Sequence, residues 1–444
     1  MERYSEYKET GIEWIGEIPN DWTVKKIKHK CSVKARVGWK GLKSDEFLIK
    51  GYSYLVTGSD FKRDTVVWEY CYQIDQERYE EDPYIQLQEE DLLITKDGTI
   101  GKLAIVKNLD KPACLNSGIF VVRPTEDDFT TKYLFWLLKS KAFSQFNDYT
   151  SYGSTIQHLY QNVFVEFWFP FPTLEVQTQI ANYLDTKTAE IDNIIAAKKK
   201  LIALYEEEKA AVINHAVTKG INPDVNLKPS GVDWLGDIPV NWIVSGLKYV
   251  TKEMISGPFG SSLKKETYTK TGYKIYGQEQ VIKGDVNYGD YYIAEEKYQE
   301  MLRYKVSAKD ILISCVGTFG KILQVPTKFQ EGIINPRLIK ISLNEDRIDP
   351  DYLERVLKSK LVFDQLEALS RGGTMGVINL DLLKQLVIPL PPLKEQKPIC
   401  DFITHEEGRL NNLISKAKQL IVLLTEYRTT LISEVVTGKI KVTA

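Results

Sequence analysis

The sequence has 444 residues, of which 43% are hydrophobic and 27% charged, with a formal net charge of −2. This composition is typical of a globular protein and excludes a disordered chain. No apolar run approaches the ~20 residues needed to cross a bilayer, and the first residues lack the apolar core of a signal peptide. We therefore expect a cytoplasmic protein without membrane contact.

The chain repeats itself at an offset of 219 or 220 residues. Three pairs of segments carry the repeat: 10–22 with 230–242, 91–102 with 310–321, and 170–174 with 389–393. Each half opens with about 150 residues of short β-rich segments, where branched and aromatic residues alternate between glycines. Two related units give approximate two-fold symmetry, which suits a partner that is itself nearly two-fold, such as duplex DNA.

Beyond each proline-rich element the apolar residues change to helical spacing. Residues separated by three, four and seven positions predict a coiled-coil seam in each half. These are Ile180, Leu184, Ile191, Ile194, Leu201 and Tyr205, and then Ile399, Ile403, Leu410, Leu413, Leu420 and Leu424. A helix of about 40 residues would be ~60 Å long, which exceeds the width of the globular domain, or head, that precedes it in each half. A helix packed only on its own domain remains the alternative.

Catalytic motifs are missing from the sequence. Segments 98–102 and 317–321 resemble phosphate loops, but two residues separate their glycines where a Walker loop has four. A methyltransferase would need a glycine-rich cofactor loop and an Asn/Asp-Pro-Pro-aromatic tetrapeptide. The five scattered cysteines and four histidines show no metal-ligand spacing. We therefore predict a non-catalytic chain without a metal site, in which the cysteines serve as small buried residues.

Several of the repeated motifs match one family. Segments 11–19 and 231–239 share Gly-[Ile/Val]-[Glu/Asp]-Trp-[Ile/Leu]-Gly-[Glu/Asp]-Ile-Pro, and residues 389–396 read Pro-Leu-Pro-Pro-Leu-Lys-Glu-Gln. Together with the loop at 257–263 and the glycine turns at 153–155 and 372–374, they resemble the specificity subunit of type I restriction–modification systems. The first half departs at 170–177, which lacks the second consecutive proline and the glutamate before the glutamine; we expect no functional cost.

The resemblance implies an α+β fold of two tandem, pseudo-two-fold-related halves. Each half would be a mixed α/β target recognition domain followed by a long helix, and the two helices would form an antiparallel coiled coil. The implied domains are a first recognition domain at 1–175, a central helix at 176–219, a second recognition domain at 220–394 and a C-terminal helix at 395–444.

The resemblance also implies partners. Each recognition domain would read one half of a bipartite, interrupted site in double-stranded DNA, and the helices would space the domains and dock two modification (methyltransferase) subunits. Those subunits would bind S-adenosylmethionine, so this chain would need no cofactor, and restriction (nuclease/translocase) subunits would complete the assembly. The alternatives are a stand-alone DNA methyltransferase or nuclease, and a coiled-coil scaffold without DNA contact, which the slightly acidic charge balance favours.

Loops on a rigid scaffold are the expected place for DNA contacts, since polar side chains reach bases there and lysines reach phosphates. In the first head the candidates are Thr57, Ser59, Asp60, Lys62, Arg63, Lys96, Thr99, Lys102, Tyr152, Ser154, Thr155 and Gln157. In the second head they are Ser261, Ser262, Gln278, Glu279, Gln280, Lys283, Thr318, Lys321, Arg371 and Thr374. Ordinary turns with capping side chains are the alternative.

Overall fold

The computed structural model describes residues 2–36, 41–150, 158–258, 262–315, 321–369 and 378–442. The chain divides into two compact units, residues 1–198 with 419–444, and residues 199–418. Each unit therefore contains one of the predicted heads and a part of each long helix.

The first head consists of short strands and helices that end at a long helix. In chain order they are β1 (Tyr7–Glu9), β2 (Glu17–Pro19), β3 (Thr23–Lys26), α1 (Ile27–Lys30), β4 (Cys31–Lys34), β5 (Ser53–Val56), β6 (Phe61–Lys62), β7 (Thr65–Val66), β8 (Tyr72–Ile74), α2 (Gln76–Glu80), β9 (Leu92–Thr95), β10 (Leu103–Ile105), β11 (Ala113–Leu115), β12 (Ile119–Pro124), α3 (Thr131–Leu138), α4 (Lys141–Thr150), α5 (Gln161–Phe164), β13 (Trp168–Phe171) and α6 (Leu174–Lys219). Within the described residues, β4-β12-β9-β10-β7-β6 form the main sheet, and β11-β5-β8 form a second sheet.

The main sheet of the first head is buried on both faces, which explains its nearly continuous apolar strands. Successive side chains of a strand point to opposite faces. Leu92 and Ile94 pack with the helices α3, α4 and α5, whereas Leu93, between them, packs with the second sheet. The same alternation divides Phe120 from Val121 on β12. The sheet is therefore held rigidly between two cores, and its strand ends are fixed.

The second head repeats this plan. Its elements are β14 (Leu227–Pro229), β15 (Asp237–Pro239), β16 (Ile243–Gly246), β17 (Thr251–Ser256), β18 (Tyr268–Thr269), β19 (Tyr273–Tyr276), α7 (Gln278–Lys283), β20 (Tyr292–Ile293), α8 (Glu295–Glu300), β21 (Ile311–Ser314), β22 (Ile322–Gln324), β23 (Gly332–Ile334), β24 (Leu338–Leu343), α9 (Pro350–Lys358), α10 (Lys360–Leu369), α11 (Leu380–Gln385), β25 (Val387–Leu390) and α12 (Leu393–Val436). In the part of the chain that is described, β17-β24-β21-β22 form one sheet and β18-β20-β19-β23 another. The strand pairing β19–β23 is parallel, as is its counterpart β5–β11 in the first head.

The two long helices pair within each unit. In the second unit Val217 shares a core with Ile399, while Glu208 pairs with Arg409 at 2.8 Å. Residues earlier in α6 therefore pair with residues later in α12, which confirms the predicted antiparallel arrangement. In the first unit Arg428 pairs with Asp192 at 3.0 Å.

The predicted seam is continuous only near the heads. Ile180, Leu184 and Ile191 are buried, but Ile194 is 45% exposed and Leu420 is 38% exposed. These two positions lie outside the packed seam because a straight helix turns about 20° per heptad away from a strict seven-residue repeat. The C-terminal helix also ends earlier than the expected 444. It stops at Val436, and Gly438 follows with a φ of 73°, the left-handed conformation that commonly ends helices. The domain limits at 175 and 394 stay predictions.

In each head a buried tyrosine forms a hydrogen bond with the C-terminal end of a long helix. The hydroxyl of Tyr133 donates to Pro170 O at 3.0 Å and lies 3.2 Å from Val436 O. Tyr352 in the second head makes the same contacts at the same distances, with Pro389 O and Val217 O. Each unit is thus completed by the C-terminal end of the helix that follows the other head.

A buried glutamine at the start of each long helix fixes the helix to its head. Gln177 Oε1 accepts from Thr130 N at 3.0 Å, and its Nε2 donates to Asp128 O at 2.9 Å. Gln396 makes the equivalent contacts with Asp349 N and Arg347 O at 2.6 and 3.2 Å. This glutamine is the last residue of the proline-rich motif, so its repetition has a structural cause.

Among the described residues no helix has the length and apolarity that a membrane span requires.

Candidate functional site

Backbone hydrogen bonds bring three strand ends together in the first head. Asn116 N, just after β11, donates to Val56 O at the end of β5, at 3.0 Å. Lys96 N, just after β9, donates to Gly118 O at 2.9 Å, and Leu159 N donates to Lys96 O at 3.0 Å. The loops that follow these strands therefore form one continuous polar surface at the end of the two sheets.

Side chains connect the loops at this surface. Lys102 Nζ donates to Gly58 O at 3.0 Å, which joins the loop after β9 to the loop after β5. Asp97 contacts His158, whose ring packs 4.5 Å from that of Tyr160. We call this group the first-head cluster; it comprises Thr57, Ser59, Lys96, Asp97, Thr99, Lys102, Asn116 and His158.

The second head forms the same junction. Asn335 N donates to Tyr276 O at 2.8 Å, Cys315 N to Arg337 O at 3.0 Å, and Ile378 N to Cys315 O at 2.9 Å. These three bonds match those of the first head position by position. The two heads therefore present equivalent backbone frames at the same place in the fold.

The side chains on the second frame are different. Gln278 Nε2 donates to Ser314 Oγ at 2.7 Å, and Arg337 Nη1 lies 3.4 Å from Gln278 Oε1 and donates to it. We call Gln278, Ser314, Lys321, Asn335 and Arg337 the second-head cluster. Arg337 replaces Gly118 of the first head, so a guanidinium stands where the first head has no side chain.

Two of the predicted DNA contacts are buried and serve the fold. Asp60 is 3% exposed, and its Oδ2 accepts from Thr57 N at 2.7 Å. Gln280 is fully buried; its Oε1 accepts from Gly277 N at 2.7 Å and its Nε2 donates to Tyr288 O at 2.6 Å. Both side chains close the turn after a strand, so neither is available to a base edge. The capping alternative holds for these two residues.

Other predicted contacts lie away from the clusters. Arg63, in the turn between β6 and β7, borders a cavity with Lys132 and Asp185, and therefore faces the long helix. Lys62 is exposed on the strand before that turn, and Lys283 Nζ, at the far end of α7, lies 5.6 Å from the Tyr288 ring centroid. Glu279 is half-buried on the first turn of α7, and Ser262 is exposed. Eight predicted residues lie outside the described ones: Tyr152, Ser154, Thr155, Gln157, Ser261, Thr318, Arg371 and Thr374.

Reasoning from the sequence missed Asn116, Asn335, His158 and Arg337. A signal for the asparagines was present, because the same residue occurs 219 positions apart directly after a buried strand. Asn335 Oδ1 accepts from Arg337 N at 2.9 Å and so shapes the turn. Arg337 and His158 lack such a signal, because the corresponding positions of the other head are Gly118 and Val377.

The chemistry of the clusters is that of binding. Hydroxyl, amide, lysine and guanidinium groups offer hydrogen-bond donors and acceptors on fixed loops. The thiol nearest the second-head cluster, Cys315, has its pKa raised to about 11 by burial, so it is protonated at neutral pH. Within the described ranges no group of three or more His, Cys, Asp or Glu side chains is arranged to hold a metal ion.

Comparison with known proteins identifies one family. The family model described as "Type I restriction modification DNA specificity domain" matches residues 19–203 and 253–421. The MjaVIII type I restriction enzyme specificity subunit of Methanocaldococcus jannaschii is 27% identical over 445 residues, covering 98% of this chain and 97% of the relative.

Solved structures share the fold. A chain from a structure of the type I R-M system, described as showing complex assembly and conformational transition, aligns with a TM-score of 0.70 at 15% identity, over 95% of this chain and 99% of that one. The HsdS subunit from Thermoanaerobacter tengcongensis aligns with a TM-score of 0.56 at 15% identity, over 95% and 98% of the two chains.

Proposed function

Because this chain belongs to the family of type I restriction modification DNA specificity domains, we propose that its two heads read the two halves of a bipartite, interrupted DNA site. The first-head and second-head clusters are the reading surfaces. Neither head catalyses a reaction; the chain selects the sequence on which partner subunits act.

One observation carries this proposal: equivalent backbone frames support different side chains in the two heads. Equivalent backbone frames hold the side chains at equivalent positions, and the side chains that reach base edges determine which sequence is bound. Lys102 and Asp97 on one frame and Gln278 and Arg337 on the other present different donors and acceptors to DNA. The two half-sites are therefore different, and the complete site is asymmetric.

The long helices space the heads and dock two modification subunits, which carry S-adenosylmethionine. Support comes from apolar side chains that the helix pair of the first unit leaves exposed. Val422, Leu423 and Tyr427 are 56%, 60% and 45% exposed, and Ile194 and Leu420, on the same pair of helices, are 45% and 38% exposed. Exposed apolar groups of this kind are typical of a protein interface. Restriction subunits complete the assembly.

The test is to co-express the full chain with its modification subunit and to map adenine methylation on a plasmid by single-molecule sequencing. A bipartite motif with a constant gap is expected. A control chain with Leu423→Ser and Tyr427→Ser should fold normally but lose copurification with the modification subunit. Methylation of a single uninterrupted motif, or binding of DNA without sequence preference, would refute the proposal.

A further inference from the structure

Arg337 has no acidic partner among the described residues, unlike Arg355 and Arg409 of the same unit. Arg355 and Arg409 form ion pairs with Glu407 and Glu406 at 2.5 and 2.8 Å. Arg337 is exposed, and across the described ranges its guanidinium makes one protein contact, the 3.4 Å hydrogen bond to Gln278 Oε1. The other four N–H groups of the guanidinium have no protein acceptor among the described residues, so they are available to a ligand.

The backbone of Arg337 is held on both sides. Its N–H donates to Asn335 Oδ1 at 2.9 Å, and its carbonyl accepts from Cys315 N at 3.0 Å. Pro336, directly before it, restricts the turn further. The side chain therefore leaves a fixed point at the start of β24, a strand buried between two cores.

Gln278 holds the guanidinium from the side. The Gln278 amide is oriented by its Nε2 bond to Ser314 Oγ, 2.7 Å away at the buried end of β21. An amide fixed in this way presents Oε1 to Nη1 of Arg337, a residue that is otherwise exposed. A guanidinium that is held before binding loses less entropy when it binds.

Resting on the proposed function, we infer that Arg337 reads a guanine in the half-site of the second head, with Gln278 as its positioning residue. Two parallel N–H groups of arginine match the O6 and N7 acceptors of guanine in the major groove, and this is the most common specific contact to DNA. A phosphate contact is the competing role for an exposed arginine, but it requires no orientation by a neighbouring amide.

The first head cannot make this contact. Gly118 occupies the equivalent position, and a Cβ placed there would lie 3.7 Å from Asp97 Cβ. A carboxylate at that point repels a phosphate and favours a base with an exposed amino group, such as cytosine. The guanine requirement therefore belongs to one half-site.

The experiment compares methylation maps of the full chain co-expressed with its modification subunit. For the unchanged chain, we expect one half-site to contain a guanine. Arg337→Ala should make that single position degenerate, with a loss of at least about tenfold in preference for guanine, and leave the other half-site unchanged. Arg337→Lys should retain overall binding but still lose most of the preference, since lysine cannot bind in a bidentate manner.

Gln278→Ala should weaken preference at the same position, whereas Arg303→Ala, which removes another exposed arginine of this head, should leave the motif unaltered. If Arg337→Ala lowers methylation at every site equally with the motif intact, Arg337 is a phosphate contact and the inference is wrong. If the unchanged chain itself gives no bipartite motif, the proposed function fails, and the inference falls with it. Melting curves of each variant separate these results from loss of folding.

Discussion

Trp242 Nε1 donates a hydrogen bond to Glu395 Oε2 at 2.9 Å, which joins the start of the second head to the first turn of α12. In the first unit Val176 occupies the position of Glu395, and Trp22 Nε1 is buried without a hydrogen-bond partner among the described residues. The departure of the first half from the Pro-Leu-Pro-Pro-x-x-Glu-Gln motif was expected to have no functional cost. It does have a structural one, because a buried unpaired donor costs about 1–3 kcal/mol.

The first prediction concerns Val176→Gln. A glutamine can accept from Trp22 Nε1 and donate to Asp21, which occupies the position of Asn241. We expect the free energy of unfolding to rise by about 1 kcal/mol, measured by urea denaturation of the full chain. Val176→Glu should gain less, because its carboxylate would lie beside that of Asp21. Equal stabilisation by both variants would contradict this explanation.

The second prediction concerns the buried glutamines. Gln396→Ala removes the partners of Asp349 N and Arg347 O in a fully buried place. We expect the variant to lose at least about 2 kcal/mol of stability, and Gln177→Ala to lose a similar amount in the first unit. Thr178→Ala, an exposed substitution on the next residue of α6, is the matched control and should change stability little. Unaltered melting of both glutamine variants would show that these hydrogen bonds between helix and head do not stabilise the chain.

The third prediction is a pH dependence. Asp91 in the first unit pairs with Arg123 at 2.6 Å, but the equivalent Asp310 has Ser342 in place of the arginine. Burial raises the pKa of Asp310 above its ordinary value, against the hydrogen bonds from Ser342 and Ser307. The folded chain then holds this proton more tightly than the unfolded chain, so Asp310 makes stability fall as pH rises through its raised pKa.

Ser342→Arg should therefore stabilise the chain at pH 7, because it adds a second positive charge near Asp310 to that of Lys340. Its advantage over the unchanged chain should shrink as pH falls below the raised pKa, where Asp310 is already neutral in the unchanged chain. Urea denaturation between pH 4 and 7 measures this difference. An advantage independent of pH would mean that the arginine stabilises by packing and not through Asp310.

The fourth prediction separates two lysines. Lys321 is exposed directly before β22, and we expect Lys321→Ala to weaken binding to all sequences alike and to lower the salt slope of binding by about 1. Lys102→Ala should do this and also loosen the loop after β5, because Lys102 Nζ holds Gly58 O. Lys297→Ala, which breaks a surface pair with Glu300, is the control. Fluorescence anisotropy of the assembled complex at several salt concentrations measures all three; altered base preference in Lys321→Ala would refute its phosphate role.

Much of the fold follows from local patterns in the sequence. The repeat predicted two equivalent heads because each repeated segment meets the same neighbours in both units. The apolar spacing predicted the long helices, but not that Ile194 and Leu420 are exposed, since helical drift is invisible in a seven-residue pattern. The pairing of Tyr133 with Val436 is equally hidden, because no local property of either residue indicates a partner 303 positions away.

The candidate site was predicted less well. The loops after β5 and β9 were predicted as separate candidate loops, and the structure joins them through Lys102 and Gly58. Residue type alone could not distinguish a capping glutamine from one that is free to contact a base. Gln278 and Gln280 are two positions apart, and only their burial separates them. Arg337 was missed because its position is occupied by glycine in the other head, so the repeat, which does contain both asparagines, gives no signal for the arginine.

The division of the chain has a consequence for its biosynthesis. The second unit is one uninterrupted stretch, residues 199–418, whereas the first combines residues 1–198 with 419–444. Leu431, Val435 and Ile440 belong to the same core as Ile18 and Trp22. Domains generally fold in the order in which a ribosome releases them, but here the first unit is complete only after residues 419–444 have been translated, which follow the whole second unit. A chain that terminates before residue 419 would therefore lack part of the core of the first unit. In a full chain, the second unit can be complete before the first.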